Sequence, residues 1–253
     1  MPTMVIDSLP ESAHKYRDDW AIVVVDVLRF TTTATTALAL ERRVYPAGTV
    51  DRAYEIAEHF ANPLLAGELG GSVPYGFDMT NSPVQIVAHS EIPCGGFTSA
   101  DRPIVLVSSS GAQLLSNAAD AEYVYLACLR NISAVSRHLA NRHTKVAILG
   151  AGSRGVFRRE DQLCCAWIAA RLQKFGFECA NRESAKLTDY WKDQSVDVIR
   201  LGKSAEYLTN TGQVHDLEFV VHYQDDLDVV PRLNEDGLLV DAVNESGAAV
   251  ANT

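Results

Sequence analysis

Short apolar runs alternate with segments of helical spacing along most of the chain. The runs at 21–27, 104–107 and 123–127 are rich in β-branched and aliphatic residues and are bounded by turn residues. Each is followed by a stretch whose apolar residues recur three or four positions apart, the longest being 162–175. This alternation predicts βα units around a largely buried sheet of mostly parallel strands.

The same patterns predict the remaining elements. We expect strands at 44–46, 64–66, 146–149 and 219–223, and helices at 50–60, 112–119 and 131–139, with another that ends at Leu40. No low-complexity linker separates two domains. The prediction is therefore one α/β domain over residues 1–253, a three-layer α/β/α fold that could comprise two related halves at about 1–120 and 121–253.

Composition narrows the classes of partner. The 253 residues include 22 Lys+Arg and 32 Asp+Glu, which gives a formal net charge of −10. So acidic a surface repels phosphate backbones and anionic lipids, and the chain has no compensating basic stripe, so we expect no nucleic acid and no membrane partner. No apolar run approaches the roughly 20 residues of a membrane span. Five cysteines without CxxC spacing favour reduced thiols and a cytoplasmic location. Homo-oligomer formation stays open.

The first candidate site follows the run 21–27. Asp26 comes at the carboxyl end of a predicted strand, where ligands bind in open α/β sheets. Asp26 could hold a divalent cation and Arg29 could bind a phosphate or sulfonate, with Thr31, Thr32 and Thr33 cradling anionic oxygens. The alternative is structural, with Asp26 and Thr31 capping a helix and Arg29 paired to Asp26.

The second candidate is the loop 67–83, which is long for an unstructured connection. Its glycines let backbone approach a ligand, and Glu68, Asp78 and Asn81 carry the oxygen donors that magnesium prefers. An ordinary surface loop with Asx turns at Asp78 and Asn81 would use the same residues.

Two further strands run into loops that suit anions. Ser108, Ser109, Ser110 and Gly111 open a predicted helix, where free N–H groups and the helix dipole favour negative charge, although a plain helix cap has the same letters. The loop 150–155 matches GxGxxG, but six residues separate it from the predicted helix start, which disfavours a dinucleotide site. That loop could instead present Arg154 to an anion, with Glu160 and Asp161 as metal or water partners or as ordinary first-turn acids.

Five segments resemble a known family, in order and over nearly the whole chain: 23–33, 67–83, 102–115, 150–167 and 225–231. The first two are the specific ones. The letters VVVDVLRFTTT around Asp26 and GFDMTNSP around Asp78 are similar to motifs of the 2-phosphosulfolactate phosphatase family. Leu69 stands where that family tends to have arginine, and Ser110 where it tends to have asparagine. The resemblance implies an α/β/α fold and a magnesium-dependent hydrolase of the coenzyme M pathway. It also implies that the following residues surround the site: Asp26, Arg29, Glu68, Asp78, Asn81 and Asp161.

The sequence therefore predicts a Mg²⁺-dependent phosphomonoester hydrolase for a small acidic metabolite. Asp26, Glu68 and Asp161 are the expected metal ligands, and Asp78 or Asp161 would orient the attacking water. Arg29, Arg154, the threonines and the serine segment would stabilise the phosphoryl charge. The spacing does not distinguish direct attack by water from a phosphoaspartyl intermediate. The alternatives are a non-catalytic binder of an anionic metabolite and a dinucleotide-dependent oxidoreductase.

Overall fold

A computed structural model describes residues 1–91, 93–94, 97–98 and 102–244. Its strands are β1 Thr3–Ser8, β2 Ala21–Val25, β3 Val44–Ala47, β4 Leu64–Gly67, β5 Pro93–Cys94, β6 Phe97–Thr98, β7 Ile104–Val107, β8 Tyr123–Ala127, β9 Lys145–Gly150, β10 Glu178–Cys179, β11 Pro231–Leu233 and β12 Leu239–Asp241. Its α-helices are α1 Phe30–Ala39, α2 Val50–Ala57, α3 Pro83–Glu91, α4 Gly111–Ala118, α5 Ile132–Arg142, α6 Arg159–Lys174, α7 Arg182–Trp191, α8 Lys203–Asn210 and α9 Val214–His222. Two 3-10 helices span Pro10–Lys15 and Val196–Leu201.

Ten of these strands form one sheet in the order β10-β1-β9-β2-β8-β11-β12-β3-β7-β4. The first five pair in parallel, as do β3, β7 and β4. The hairpin of β11 and β12 joins the two parallel blocks through antiparallel pairs. The prediction of a mostly parallel sheet is confirmed.

Helices cover both faces of this sheet. Along β2, Val23 and Val25 enter one core with residues of α5 and α6, whereas Ile22 and Val24 enter a second core with residues of α1 and α4. A third, smaller cluster packs α2 against β7. The alternation of buried side chains on both faces produces the three-layer α/β/α arrangement that the sequence predicts.

The predicted strand at 219–223 is wrong. These residues fall in and just after α9, where Leu217 and Val220 are buried three positions apart. A short apolar run does not separate a strand from a buried helix by periodicity alone. The sequence patterns also gave no indication of β1, which pairs with β9 and β10.

The strand pairing crosses the expected boundary between halves. Both β1 and β2 pair with strands from residues 121–253, so the sheet does not divide at residue 120. Whether two halves are related stays a prediction. Within the described ranges, no helix is both long and apolar enough to cross a membrane.

Candidate active site

The ends of four parallel strands meet at one cavity of about 430 Å³. Residues that follow β2, β4, β7 and β9 form its floor, and the first turns of α6 and α8 form its wall. The cavity is lined by Asp26, Leu28, Arg29, Glu68, Gly70, Gly71, Asn81, Ser108, Ser109, Ser110, Gly152, Ser153, Arg154, Arg158, Glu160, Asp161, Lys203, Ser204, Tyr207 and Leu208.

Asp26 lines the cavity directly after β2 and is 7% exposed. Backbone N–H groups of Phe30 and Gly111 donate to its carboxylate, and Ser108 Oγ lies 3.5 Å from Asp26 Oδ2. Burial, with repulsion from Glu68 and Glu160, raises the pKa of Asp26 to about 7. A cation bound beside Asp26 would therefore stabilise its charged form at neutral pH.

Glu68 ties the long loop to the turn after β7. Its Oε1 accepts the Ser109 N–H at 2.9 Å, and its Oε2 accepts the Gly71 N–H at 2.7 Å and the Ser109 hydroxyl at 3.1 Å. These bonds set the position of Glu68 beside Asp26, whose pKa it raises.

Asp161, in the first turn of α6, holds two loops at the cavity. Its Oδ1 accepts the Val27 N–H at 2.9 Å, and its Oδ2 accepts the Gly152 N–H at 3.2 Å. Burial and the charges of Glu160 and Asp26 raise its pKa well above the ordinary value. Asp161 therefore fixes the ends of β2 and β9 relative to each other.

Glu160 precedes Asp161 and is 1% exposed. The residue Glu160 lines the cavity, and its Oε2 atom has no hydrogen-bond partner among the described residues. Burial raises the pKa of Glu160, and a hydrogen bond from Ser204 opposes that shift. A buried acceptor without a partner is costly, so Glu160 Oε2 is positioned for a ligand, a proton or a water.

Arg29 reaches the cavity with its guanidinium already held from behind. Its Nη1 pairs with Asp216 Oδ2 and donates to Gln213 Oε1 at 2.6 Å, and its Nη2 donates to Thr80 Oγ1 at 3.2 Å. In the structural alternative Arg29 would pair with Asp26, but its ion-pair partner among the described residues is Asp216 from α9.

Three other cationic side chains line the cavity: Arg154, Arg158 and Lys203. Within residues 1–91 and 102–244, none of the three has an ion-pair partner. The cavity thus combines a cluster of carboxylates with positive charges that have no ion-pair partner among the described residues. Ser108, Ser109 and Ser110 line the same cavity.

Several predicted residues lie elsewhere. Asp78 is outside the cavity, where its Oδ2 accepts the Leu65 N–H at 2.9 Å and pairs with Arg102 at 3.3 Å. The Thr31 and Thr32 hydroxyls donate to backbone carbonyls of Asp26 and Val27. Thr33 is buried behind them. The threonines therefore support the β2–α1 turn rather than line the cavity.

Gly111 lies directly behind Asp26. A Cβ atom there would meet Asp26 Oδ2 at 2.3 Å and Phe30 Cδ1 at 2.6 Å. Only glycine allows the start of α4 to come this close to the carboxylate and to donate its N–H.

The loop after β9 does not form a dinucleotide site. Ser153 and Val156 pair across a tight turn, and α6 begins only at Arg159. Gly150 packs against the Phe157 ring, which would lie 2.2 Å from a Cβ at that position. The helix therefore does not open on the third glycine, as pyrophosphate binding requires.

The sequence patterns do not predict the wall formed by α8. Lys203, Ser204 and Tyr207 line the cavity, and the Tyr207 hydroxyl donates to the Gly71 carbonyl at 2.5 Å. The letters Gly202-Lys203-Ser204 mark a helix start, but nothing in the sequence places that start beside Asp26.

The donor set suits magnesium. Within the described part of the chain no three His, Cys, Asp or Glu side chains converge closely enough to enclose an ion. Magnesium, however, needs only one or two carboxylates when waters and substrate oxygens complete its shell. Glu160 Oε2 and Asn81 Oδ1 are buried acceptors that lack partners among the described residues, and both residues line the cavity beside Asp26. These oxygens fit a hard cation.

Comparison with known proteins gives a consistent match. The family model described as 2-phosphosulpholactate phosphatase matches residues 7–236. A "probable 2-phosphosulfolactate phosphatase" of Caldanaerobacter subterraneus subsp. tengcongensis is 31% identical over 218 residues, covering 84% of this chain and 87% of the relative. Proteins with the same description from Symbiobacterium thermophilum and Carboxydothermus hydrogenoformans are 32% and 28% identical, covering 78% and 94% of this chain and 84% and 98% of the relatives.

Proposed function

The chain belongs to the 2-phosphosulfolactate phosphatase family, and from this premise we propose that it is a Mg²⁺-dependent phosphomonoester hydrolase. Its substrate would be 2-phosphosulfolactate, converted with water to 3-sulfolactate and phosphate. The observation that carries the proposal is the cavity itself, in which Asp26, Glu68 and Glu160 lie beside the unpaired cations Arg158 and Lys203.

Opposite charges in one cavity suit a phosphate ester with further acidic groups. Arg154, Arg158 and Lys203 would bind the anionic groups of the substrate, because each lacks a competing anion among the described residues. Asp26 would hold the magnesium ion through a carboxylate oxygen, with Asn81 Oδ1 as a further donor.

When bound, magnesium would polarise a phosphoryl oxygen and offset the charge that develops on the phosphoryl group. The protein supplies positioning. Arg29 and the N–H groups of the Ser108–Ser110 turn would donate to phosphoryl oxygens. The Ser109 N–H already donates to Glu68, so fewer N–H groups of that turn are available to a ligand than the sequence suggests.

Hydrolysis needs one water to be oriented toward phosphorus. We assign this to Glu160, because this residue lines the cavity and its buried Oε2 atom has no hydrogen-bond partner among the described residues. Asp78, the earlier candidate, lies outside the cavity, and both oxygens of Asp161 accept backbone N–H groups. As the water oxygen bonds to phosphorus, the bond from phosphorus to the substrate oxygen breaks, and the proton that Glu160 accepts from the water passes to that leaving oxygen.

The location and pathway belong to the same proposal. The family resemblance favours a cytoplasmic enzyme of the sulfonate branch of coenzyme M biosynthesis. The described cysteines 128, 164, 165 and 179 are all free thiols, in keeping with a reducing compartment.

Phosphate release from 2-phosphosulfolactate tests this function directly. The purified protein is incubated with this ester and with phosphate esters of other short hydroxy acids, in Mg²⁺ or in EDTA. We expect release that requires Mg²⁺, and loss of release in Glu160→Gln. Tight binding without release would identify a non-catalytic binder, and retention of NAD would identify an oxidoreductase; either result contradicts the proposal.

A further inference from the structure

Asp216 occupies an unusual place behind the cavity. It lies on α9, is 3% exposed and does not line the cavity. Its Oδ2 pairs with Arg29 Nη1, and the pair is buried on both sides. Burying such a pair is expensive and is a poor way to gain stability, which suggests that it serves another purpose.

The second oxygen of Asp216 accepts a hydrogen bond from a different segment, the one that leads into α3. Ser82 Oγ donates to Asp216 Oδ1 at 2.6 Å, and the same Ser82 oxygen accepts the Gln85 N–H at 3.1 Å at the start of α3. Ser82 directly follows Asn81, whose side chain lines the cavity with an unpartnered Oδ1. One carboxylate thus fixes two segments that each present a side chain to the site.

The surrounding contacts leave Arg29 little freedom. Asp216 and Gln213 both accept from Nη1, and Thr80 accepts from Nη2. Charge-assisted bonds of this kind hold a planar guanidinium in one orientation. They also offset its charge at close range, so Arg29 would act as a directed donor, and attraction of the anionic substrate would fall to Arg158 and Lys203.

We propose that Asp216 is a positioning residue that orients Arg29, and through Ser82 also Asn81, for phosphoryl transfer. The inference deepens the proposed function and rests on it for its kinetic readout. In Asp216→Asn, the carboxamide can accept only one of the two bonds, and its NH₂ group faces a donor. The Arg29 guanidinium then loses its fixed orientation, whereas Arg158 and Lys203 stay in place.

A double-mutant cycle separates positioning from simple structural support. We expect kcat of Asp216→Asn to fall about tenfold or more, with KM nearly unchanged, because misplacement of a donor by about 1 Å is this costly. Arg29→Gln should lose a similar factor. Asp216→Asn should cost a clearly smaller factor in the Arg29→Gln background, where only its effect through Ser82 on Asn81 remains. Equal losses from Asp216→Asn in both backgrounds would overturn the proposal.

Chemical rescue provides a readout that folding does not control. Added guanidinium should restore activity to Arg29→Ala while Asp216 is present to bind it, and should fail in the double variant Arg29→Ala, Asp216→Asn. Rescue of both variants to the same extent would contradict the positioning role. If Asp216→Asn does not fold, Gln213→Met, which removes a single acceptor at the edge of the network, should lower kcat in the same direction and by a smaller factor.

A matched control lies elsewhere in the fold. Asp226 accepts from Arg130 Nε at 3.0 Å and also pairs with its Nη2, and neither residue lines the cavity. Asp226→Asn should lower thermal stability and leave kcat unchanged.

If the wild-type protein hydrolyses no ester, the hydrolase proposal fails, and titration with inorganic phosphate still tests positioning. Asp216→Asn must then weaken phosphate binding by a smaller factor in the Arg29→Gln background than in the wild type, and equal factors in the two backgrounds would refute it.

Discussion

At the scale of the residue, the charge of Asp26 is only partly stabilised by the groups around it. Asp26 has two backbone donors but no cationic partner among the described residues, and Glu68 and Glu160 repel it. The sequence predicts Asp26 correctly as a residue at a strand end, since an acid directly after an apolar run is visible in the letters. It does not reveal which of the adjacent acids Glu160 and Asp161 has a free oxygen, because that depends on N–H groups from distant loops.

We expect Asp26→Asn to lose activity and gain stability at neutral pH. The unfolded chain releases this proton near pH 4, whereas the folded protein keeps it until about pH 7. Wild-type stability therefore falls as pH rises between these values and stays lower above pH 7. The variant has no such loss, so it should be more stable than the wild type by about 4 kcal/mol at pH 8, from about three pH units at about 1.4 kcal/mol each, and by little at pH 4. Denaturant unfolding at both pH values measures the difference. A wild type that is the more stable protein at pH 8 would contradict it.

Asp78 gives the opposite prediction. Asp78→Asn removes an ion pair with Arg102 that is 42% exposed on the aspartate side, so the loss of stability should stay below about 1 kcal/mol. Its kcat for phosphate release should stay within about threefold of wild type, because Asp78 lies outside the cavity. A hundredfold loss of kcat with normal folding would return Asp78 to the catalytic machinery.

At the scale of the element, the site depends on turns that pack against each other. The β2–α1 turn carries Asp26, and the β7–α4 turn carries Ser108 and Gly111, both of which contact Asp26. Both strands were predicted to within two residues, because their runs are long and apolar. The wall from α8 and the helix α9 behind it were not predicted, because short amphipathic helices and short strands can have the same pattern of apolar residues.

Gly111→Ala tests this contact between turns. The new methyl group would overlap Asp26 Oδ2 and the Phe30 side chain, so either α4 or Asp26 must move. We expect a stability loss of about 1–3 kcal/mol and a fall in kcat larger than stability alone explains.

A second glycine supplies the comparison. Gly237, in the turn between β11 and β12, has a positive φ of 74° and nothing within 4 Å of an added Cβ. Gly237→Ala should cost about 1 kcal/mol and leave kcat unchanged. Equal kcat in the Gly111→Ala variant and the wild type would show that the close approach to Asp26 does not matter.

At the scale of the whole molecule, the sheet topology brings distant segments to one place. Residues from Asp26 to Leu208 line the same cavity, although they come from both parallel blocks of the sheet and from helices near the end of the chain. Local patterns predicted the fold class and most of the strands, but not the hairpin of β11 and β12 that joins the blocks. Long-range pairing of this kind leaves no signal in a single sequence.

The central claim is that this cavity gathers a divalent cation beside a bound oxyanion. Isothermal titration calorimetry with inorganic phosphate, in Mg²⁺ and in EDTA, tests it most directly, because two ligands that share one site must change each other's affinity reciprocally. We predict that Mg²⁺ tightens phosphate binding to the wild type about tenfold or more, and that Asp26→Asn removes this coupling. Phosphate affinity that is the same with and without Mg²⁺ would contradict the account.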